Sequence, residues 1–161
     1  MSGGLRRWSS TSASARAHAS VLAGGADAAA REDALAGLAE QLDALDQQLD
    51  EMHRAARLER ERTCRLCAAE AADRGADGLG TSPADYAANI AAPLRAYEAE
   101  LAFARSVAAA VCAPSPPPPA EVQALLTAWG SQPMLEPLDA MLRGAESAWP
   151  EGRTSASRAE V

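Results

Sequence analysis

The chain has 161 residues, a net charge of −7, and a composition that is 48% hydrophobic but only 4% aromatic. That length allows one domain, or a small domain with tails, and the acidic balance argues against a nucleic-acid-binding domain, which carries a basic excess. All fifteen basic residues are arginine, which excludes Schiff-base chemistry and a phosphate-loop lysine.

Alanine supplies much of the apolar fraction, Phe103 is the only Phe, and Ile90 is the only Ile. An alanine methyl buries little area, whereas a buried Leu, Phe or Met contributes roughly 1.5–3 kcal/mol. The core expected from this chain alone is therefore thin, and a partner is expected to complete it. Few β-branched residues and abundant Ala, Leu, Glu, Gln and Arg predict an all-α fold. The longest apolar run, residues 107–113, holds seven residues, far short of the ~18–20 needed for a membrane span.

Residues 1–26 contain no Asp or Glu but hold Arg6, Arg7 and Arg16 among many Ser and Ala. A basic, Ser-rich, acid-poor terminus is the composition of an organelle transit peptide, and equally of a disordered tail. Residues 1–30 are accordingly expected to lie outside the fold.

Residues 31–113 are predicted to form a long antiparallel helical hairpin with coiled-coil character. In its first helix Leu35, Leu38, Leu42, Leu45, Leu49 and Met52 recur at alternating steps of three and four, an apolar a/d seam. The register decays after Ala56, and the glycines of GADGLG (75–80) end the helix. Glu32, Asp33, Glu40, Asp43, Asp46, Asp50 and Glu51 crowd its first half; Arg54, Arg57, Arg60, Arg62 and Arg65 crowd the second. This order suits the helix macrodipole. Glu59 and Glu61 interrupt the arginines, so a solvated face is preferred over a phosphate-binding patch.

The second helix starts at TSPAD (81–85), where Ser82 can cap and Pro83 suits the first helical position. Pro93 predicts a bend, or two helices in sequence, because an interior proline costs ~3 kcal/mol. Residues 114–119 form a stiff Pro-rich linker. Residues 120–149 predict a pair of short helices, the first with Val122, Leu125, Leu126 and Trp129 on one side, the second with Met134, Leu135, Leu138, Met141 and Leu142. Residues 150–161 read as a solvated tail.

Little in the chain suggests catalysis or a cofactor. Cys64 and Cys67, in TCRLC, could be half of a zinc site or a redox pair. Zinc needs four ligands, and His53 lies about 16 Å along a straight helix from Cys64. A redox pair would sit at a helix N-terminus, whereas this one is deep within a helix. Two small residues on a packed face is the preferred reading, with metal or redox binding as a remote alternative. His18 and His53 have no evident partners for catalytic or metal work, and no enzyme is expected.

Residues 101–114 (LAFARSVAAAVCAP), leading into prolines, resemble the short signature of the Mediator complex subunit 4 family. In that family a coiled-coil segment precedes a helix with an aromatic-Ala-basic core, a hydrophobic and small stretch, and then Ala-Pro. The matching positions are Phe103, Ala104 and Arg105 for the core, Val107 for the hydrophobic, and Ala113 and Pro114 for the stop. The leucines of 35–52 would correspond to the coiled-coil portion. About fifteen residues carry the similarity, and the segment before the signature helix is longer than the family leads one to expect. The resemblance implies a non-enzymatic subunit of a transcription co-regulator in the nucleus, pairing with another helical subunit. Partner binding would then fall on Leu35, Leu38, Leu42, Leu45, Leu49, Met52, Phe103 and Val107. The alternative expectation is a helical accessory subunit of a mitochondrial or plastid complex, imported through the N-terminal segment.

Overall fold

A computed structural model describes residues 2–74 and 83–135. Among the described residues there are four helices and no strands: α1 (Ser2–Ala23), α2 (Ala28–Arg74), α3 (Pro83–Cys112) and α4 (Pro119–Ser131). The all-α expectation holds. The GADGLG turn, the Ser82 cap, residues 136–149 of the second short helix, and the tail at 150–161 lie outside the described residues.

The N-terminal stretch, expected as a tail, is instead helix α1 and part of the core. Trp8, Ser12, Ala15, Ala19 and Leu22 are all buried, and they recur at steps of four and three, which places them on one helix face. Gly24 and Gly25 end the helix. Gly25 takes φ +73°, a conformation open to glycine at no steric cost, and the Gly24 N–H returns to the Ser20 carbonyl at 3.0 Å. The chain then re-enters helix at once, because the Asp27 carboxylate accepts the Ala30 N–H at 2.9 Å, a side-chain cap for an otherwise unpaired donor.

In α2 the buried positions are Ala34, Leu38, Leu45, Gln48 and Leu49, so the leucine seam is covered by this chain itself. Of the expected partner-facing residues, Leu38, Leu45 and Leu49 are core, Leu42 and Met52 are half-buried, and only Leu35 is exposed. In α3 the core residues Tyr97, Leu101, Ala104, Ala108 and Val111 again follow a four-three rhythm, with Val107 buried beside them. The helix runs through Pro93 as one element, so the expected division into two helices is not observed. Pro118 (φ −53°, ψ 146°) and Pro119 open α4, where a fixed φ and a missing N–H cost nothing. Gln132 closes it in the left-handed conformation, donating its N–H to the Trp129 carbonyl at 3.1 Å.

Cross-helix pairs run in opposite chain order from each helix to the next along the chain. Arg7 meets Glu51 at 3.4 Å while Thr11 accepts from Gln48 at 2.9 Å. Asp46 pairs with Arg105, and His53 with Glu98 at 3.0 Å. Ser9 donates to Gln132 at 3.2 Å, and the Trp129 indole N–H to Ser12 at 2.9 Å. So α2 reverses α1, α3 reverses α2, and α4 lies against α1 in the opposite sense. The Pro-rich stretch is thus a linker only along the chain, since α4 returns to the same core.

That core has two parts. One gathers Ala15, Ala19, Leu22, Ala34, Leu38, Ala104, Val107, Val111, Val122, Leu126 and Trp129 from all four helices. Its alanines permit close approach, and α1 supplies the surface that an α2–α3 pair would lack. The other packs Trp8, Leu45, Leu49, Tyr97, Leu101 and Leu135, with the Trp8 and Tyr97 rings edge-on at 4.9 Å, a geometry worth roughly 0.5–1.5 kcal/mol beyond area burial.

Candidate interaction surface

The second half of α2 reaches beyond α1. At ~1.5 Å per residue the 47 residues of α2 span about 70 Å, while α1 begins at Ser2 opposite the middle of it. Past that point, among the described residues, α2 keeps α3 on one side only. Between the two helices lies a cleft of about 510 Å³ lined by Asp50, His53, Arg54, Ala56, Arg57, Arg60, Ala91 and Leu94. Its polar wall comes from steps of three along α2, which bring Arg54, Arg57 and Arg60 to adjacent turns. Its apolar floor comes from Ala56, Ala91 and Leu94.

Arg54, Arg57 and Arg60 form no ion pair with any described residue. Three guanidiniums beside an apolar floor suit a carboxylate-bearing surface, because planar guanidinium groups pair bidentately with carboxylates. His53, expected to lack partners for chemistry, is held by Glu98 and so bridges α2 to α3 at the mouth of the cleft. On another side of α2, Leu58 and Leu66 are 64% and 55% exposed, beside Ala55, Glu59, Arg62 and Arg65.

The resemblance residues serve the fold. Ala104 and Val107 are 1% exposed, Phe103 packs half-buried against the first core group, and Arg105 is taken up by Asp46. Ala113 and Pro114 follow α3 directly, the Ala113 N–H reaching the Ala110 carbonyl at 3.4 Å. Cys64, expected on a packed face, is exposed; the Cys67 side chain lies outside the described residues. Among the described residues no group of three or more His, Cys, Asp or Glu could hold a metal ion, and no helix is long and apolar enough to cross a membrane.

Glu100 was not among the residues that the sequence singled out. On α3 it is 1% exposed, and its Oε2 accepts the Met134 N–H at 3.3 Å, which tethers the chain just past α4. Its Oε1 has no partner among the described residues. Desolvation by burial outweighs that hydrogen bond and raises its pKa above the ordinary carboxylate value. Trp8 Nε1 is likewise buried and without a partner among the described residues. The sequence signal for Glu100 is its place next to Leu101, on the flank of a four-three stripe where an acid borders core positions.

Comparisons with protein-family models, curated proteins and solved structures return no match to this chain.

Proposed function

We propose that this chain is a non-enzymatic helical scaffold subunit of a larger complex, docking an acidic partner helix in the cleft between α2 and α3. The observation that carries this reading is the set Arg54, Arg57 and Arg60, unpaired among the described residues and set beside Ala56, Ala91 and Leu94. The partner surface therefore moves from the leucine seam, which α1 and α3 occupy, to the far half of the same helix. The reversed order of the Asp46–Arg105 and His53–Glu98 pairs supports an antiparallel α2–α3 hairpin with coiled-coil character. In its specific form the chain is a Mediator-like transcription co-regulator subunit in the nucleus, a reading that rests on the likeness of residues 101–114 to that family's signature. The organelle alternative keeps the acid-free, arginine-bearing first 26 residues in its favour, but a chain trimmed near residue 20 would lose Trp8, Ala15 and Ala19 from the core.

The test is a native pull-down of C-terminally tagged protein, wild type beside Arg54→Glu/Arg57→Glu/Arg60→Glu, with mass spectrometry of the retained proteins and of the bait's N-terminus. Transcription subunits in fixed ratio, lost on charge reversal, support both the scaffold role and the cleft. Retention unchanged by the reversal sinks the cleft. A bait beginning near residue 20 beside organelle proteins sinks the nuclear reading.

A further inference from the structure

Far from the arginine cleft, the Pro-rich stretch borders a second hollow, of about 390 Å³. Arg31, on its rim, lies about 35 Å along α2 from Arg54 at ~1.5 Å per residue. All four helices reach this hollow. Leu22 and Ala23 come from the last turn of α1, Arg31 from the first turn of α2, Val111 from the last turn of α3 and Val122 from the first turn of α4. Prolines 116–119 make one wall. Consecutive prolines hold an extended, stiff path without internal hydrogen bonds, which keeps the connection from α3 to α4 from collapsing into the space beside it. Leu22, Val111 and Val122 are buried and form an apolar floor.

Arg31 is the one charged residue in this lining. It forms no ion pair with any described residue. Asp27, one turn before it, accepts the Ala30 N–H at 2.9 Å. Ala23 and Val111 stand at the C-terminal ends of α1 and α3, which offer a guanidinium only partial charges, while the start of its own helix repels it. The proline wall contributes no N–H, so the guanidinium is the only side-chain donor among the lining residues. Apolar walls with one polar group to fix orientation, in a volume of roughly 300–1,000 Å³, are the pattern of a small-molecule site.

We propose that this hollow binds a small carboxylic acid with an apolar body, its carboxylate on Arg31 and its body over Leu22, Val111 and Val122. A guanidinium pairs a carboxylate through two parallel N–H bonds, and no acid in the lining competes for it. A cationic ligand would be repelled by Arg31, and a neutral one would leave it unused. The site shares no residue with the arginine cleft, so it stands or falls independently of the scaffold reading.

The test uses the full chain, methyl NMR of its leucines and valines, and probes of one shape: phenylpropionate, phenylpropanol and phenylpropylamine. The acid should shift the Leu22, Val111 and Val122 methyls and bind at least about tenfold tighter than the alcohol or the amine. Arg31→Gln, at an exposed position, should bring the acid down to the affinity of the alcohol with far-UV ellipticity unchanged. Equal binding of acid and alcohol by the parent chain overturns the proposal, as does a preference for the acid that survives Arg31→Gln. Shifts confined to the Leu94 methyls also overturn it, and assign the acid to the arginine cleft. The absence of any shift with millimolar acid overturns it too.

Discussion

Replacing Glu100 by Gln is expected to stabilise the protein at neutral pH. The carboxylate is 1% exposed, and one oxygen accepts a single backbone N–H while the other has no partner among the described residues. Gln keeps the acceptor for Met134 and replaces a desolvated charge with a neutral amide. Leaving a buried neutral polar atom unpaired costs ~1–3 kcal/mol, and a charged one more, so the difference between the two side chains comes to about 1–2 kcal/mol. For a chain of this size that is roughly 2–8 °C in Tm. The pH dependence fixes the cause. Burial raises the folded-state pKa above the ordinary glutamate value, so the unfolded chain releases this proton first. The contribution of protonated Glu100 is fully present below the unfolded pKa and is lost as pH rises through the folded one. The Gln variant has no such loss, so its advantage should be full at pH 7 and vanish as the pH falls below the unfolded-state pKa. Urea melts of both proteins across that range measure it. A variant less stable at pH 7, or a difference that does not change with pH, would refute the reasoning and mean that Oε1 has a charge-dependent partner.

The remaining expectations follow from packing. Trp8→Ala should cost about 3–5 kcal/mol, the loss typical of a buried aromatic, whereas Trp8→Phe should cost far less because it also removes the unpaired Nε1; a loss below ~1 kcal/mol for the Ala variant in a urea melt would return α1 to the status of a tail. Leu45→Ala should cost about 2–5 kcal/mol and Leu35→Ala less than ~0.5 kcal/mol, since the first is 1% and the second 39% exposed; equal effects would mean the seam is not internal. A Cβ at Gly37 would run into the His18 ring, so Gly37→Ala should destabilise the parent chain by about 1–3 kcal/mol. In a His18→Ala background the same change should instead stabilise by up to ~1 kcal/mol through helix propensity, a reversal that thermal melts of the four proteins would show.

Local rules are legible in the amino-acid order itself. The paucity of β-branched and aromatic residues specifies helices, Pro83 and Pro119 mark two helix starts, and the leucines at 38, 45 and 49 mark a core face. The α1 stripe is present too, as Trp8, Ser12, Ala15, Ala19 and Leu22. It is hidden because most of its positions differ little from the Ser/Ala background or lack bulk, and a small residue reveals its burial only through what packs against it. Ser12 is the clearest case, a hydroxyl that becomes core by accepting the Trp129 N–H.

What covers each face is decided by tertiary structure alone. A four-three apolar rhythm measures how much surface a helix must hide, and the rhythm is the same whether the cover comes from another subunit or from the chain's own first helix. The same holds for the arginines of α2, which in sequence are a solvated run broken by Glu59 and Glu61. Winding them onto a helix sets Arg54, Arg57 and Arg60 over Ala91 and Leu94 of α3, far along the chain, and turns a charge run into a cleft. Sequence thus determined the elements and the faces they must bury, because those depend on neighbours within one or two turns. The pairing of faces depends on contacts between residues far apart in the chain, and only the packed structure contains them.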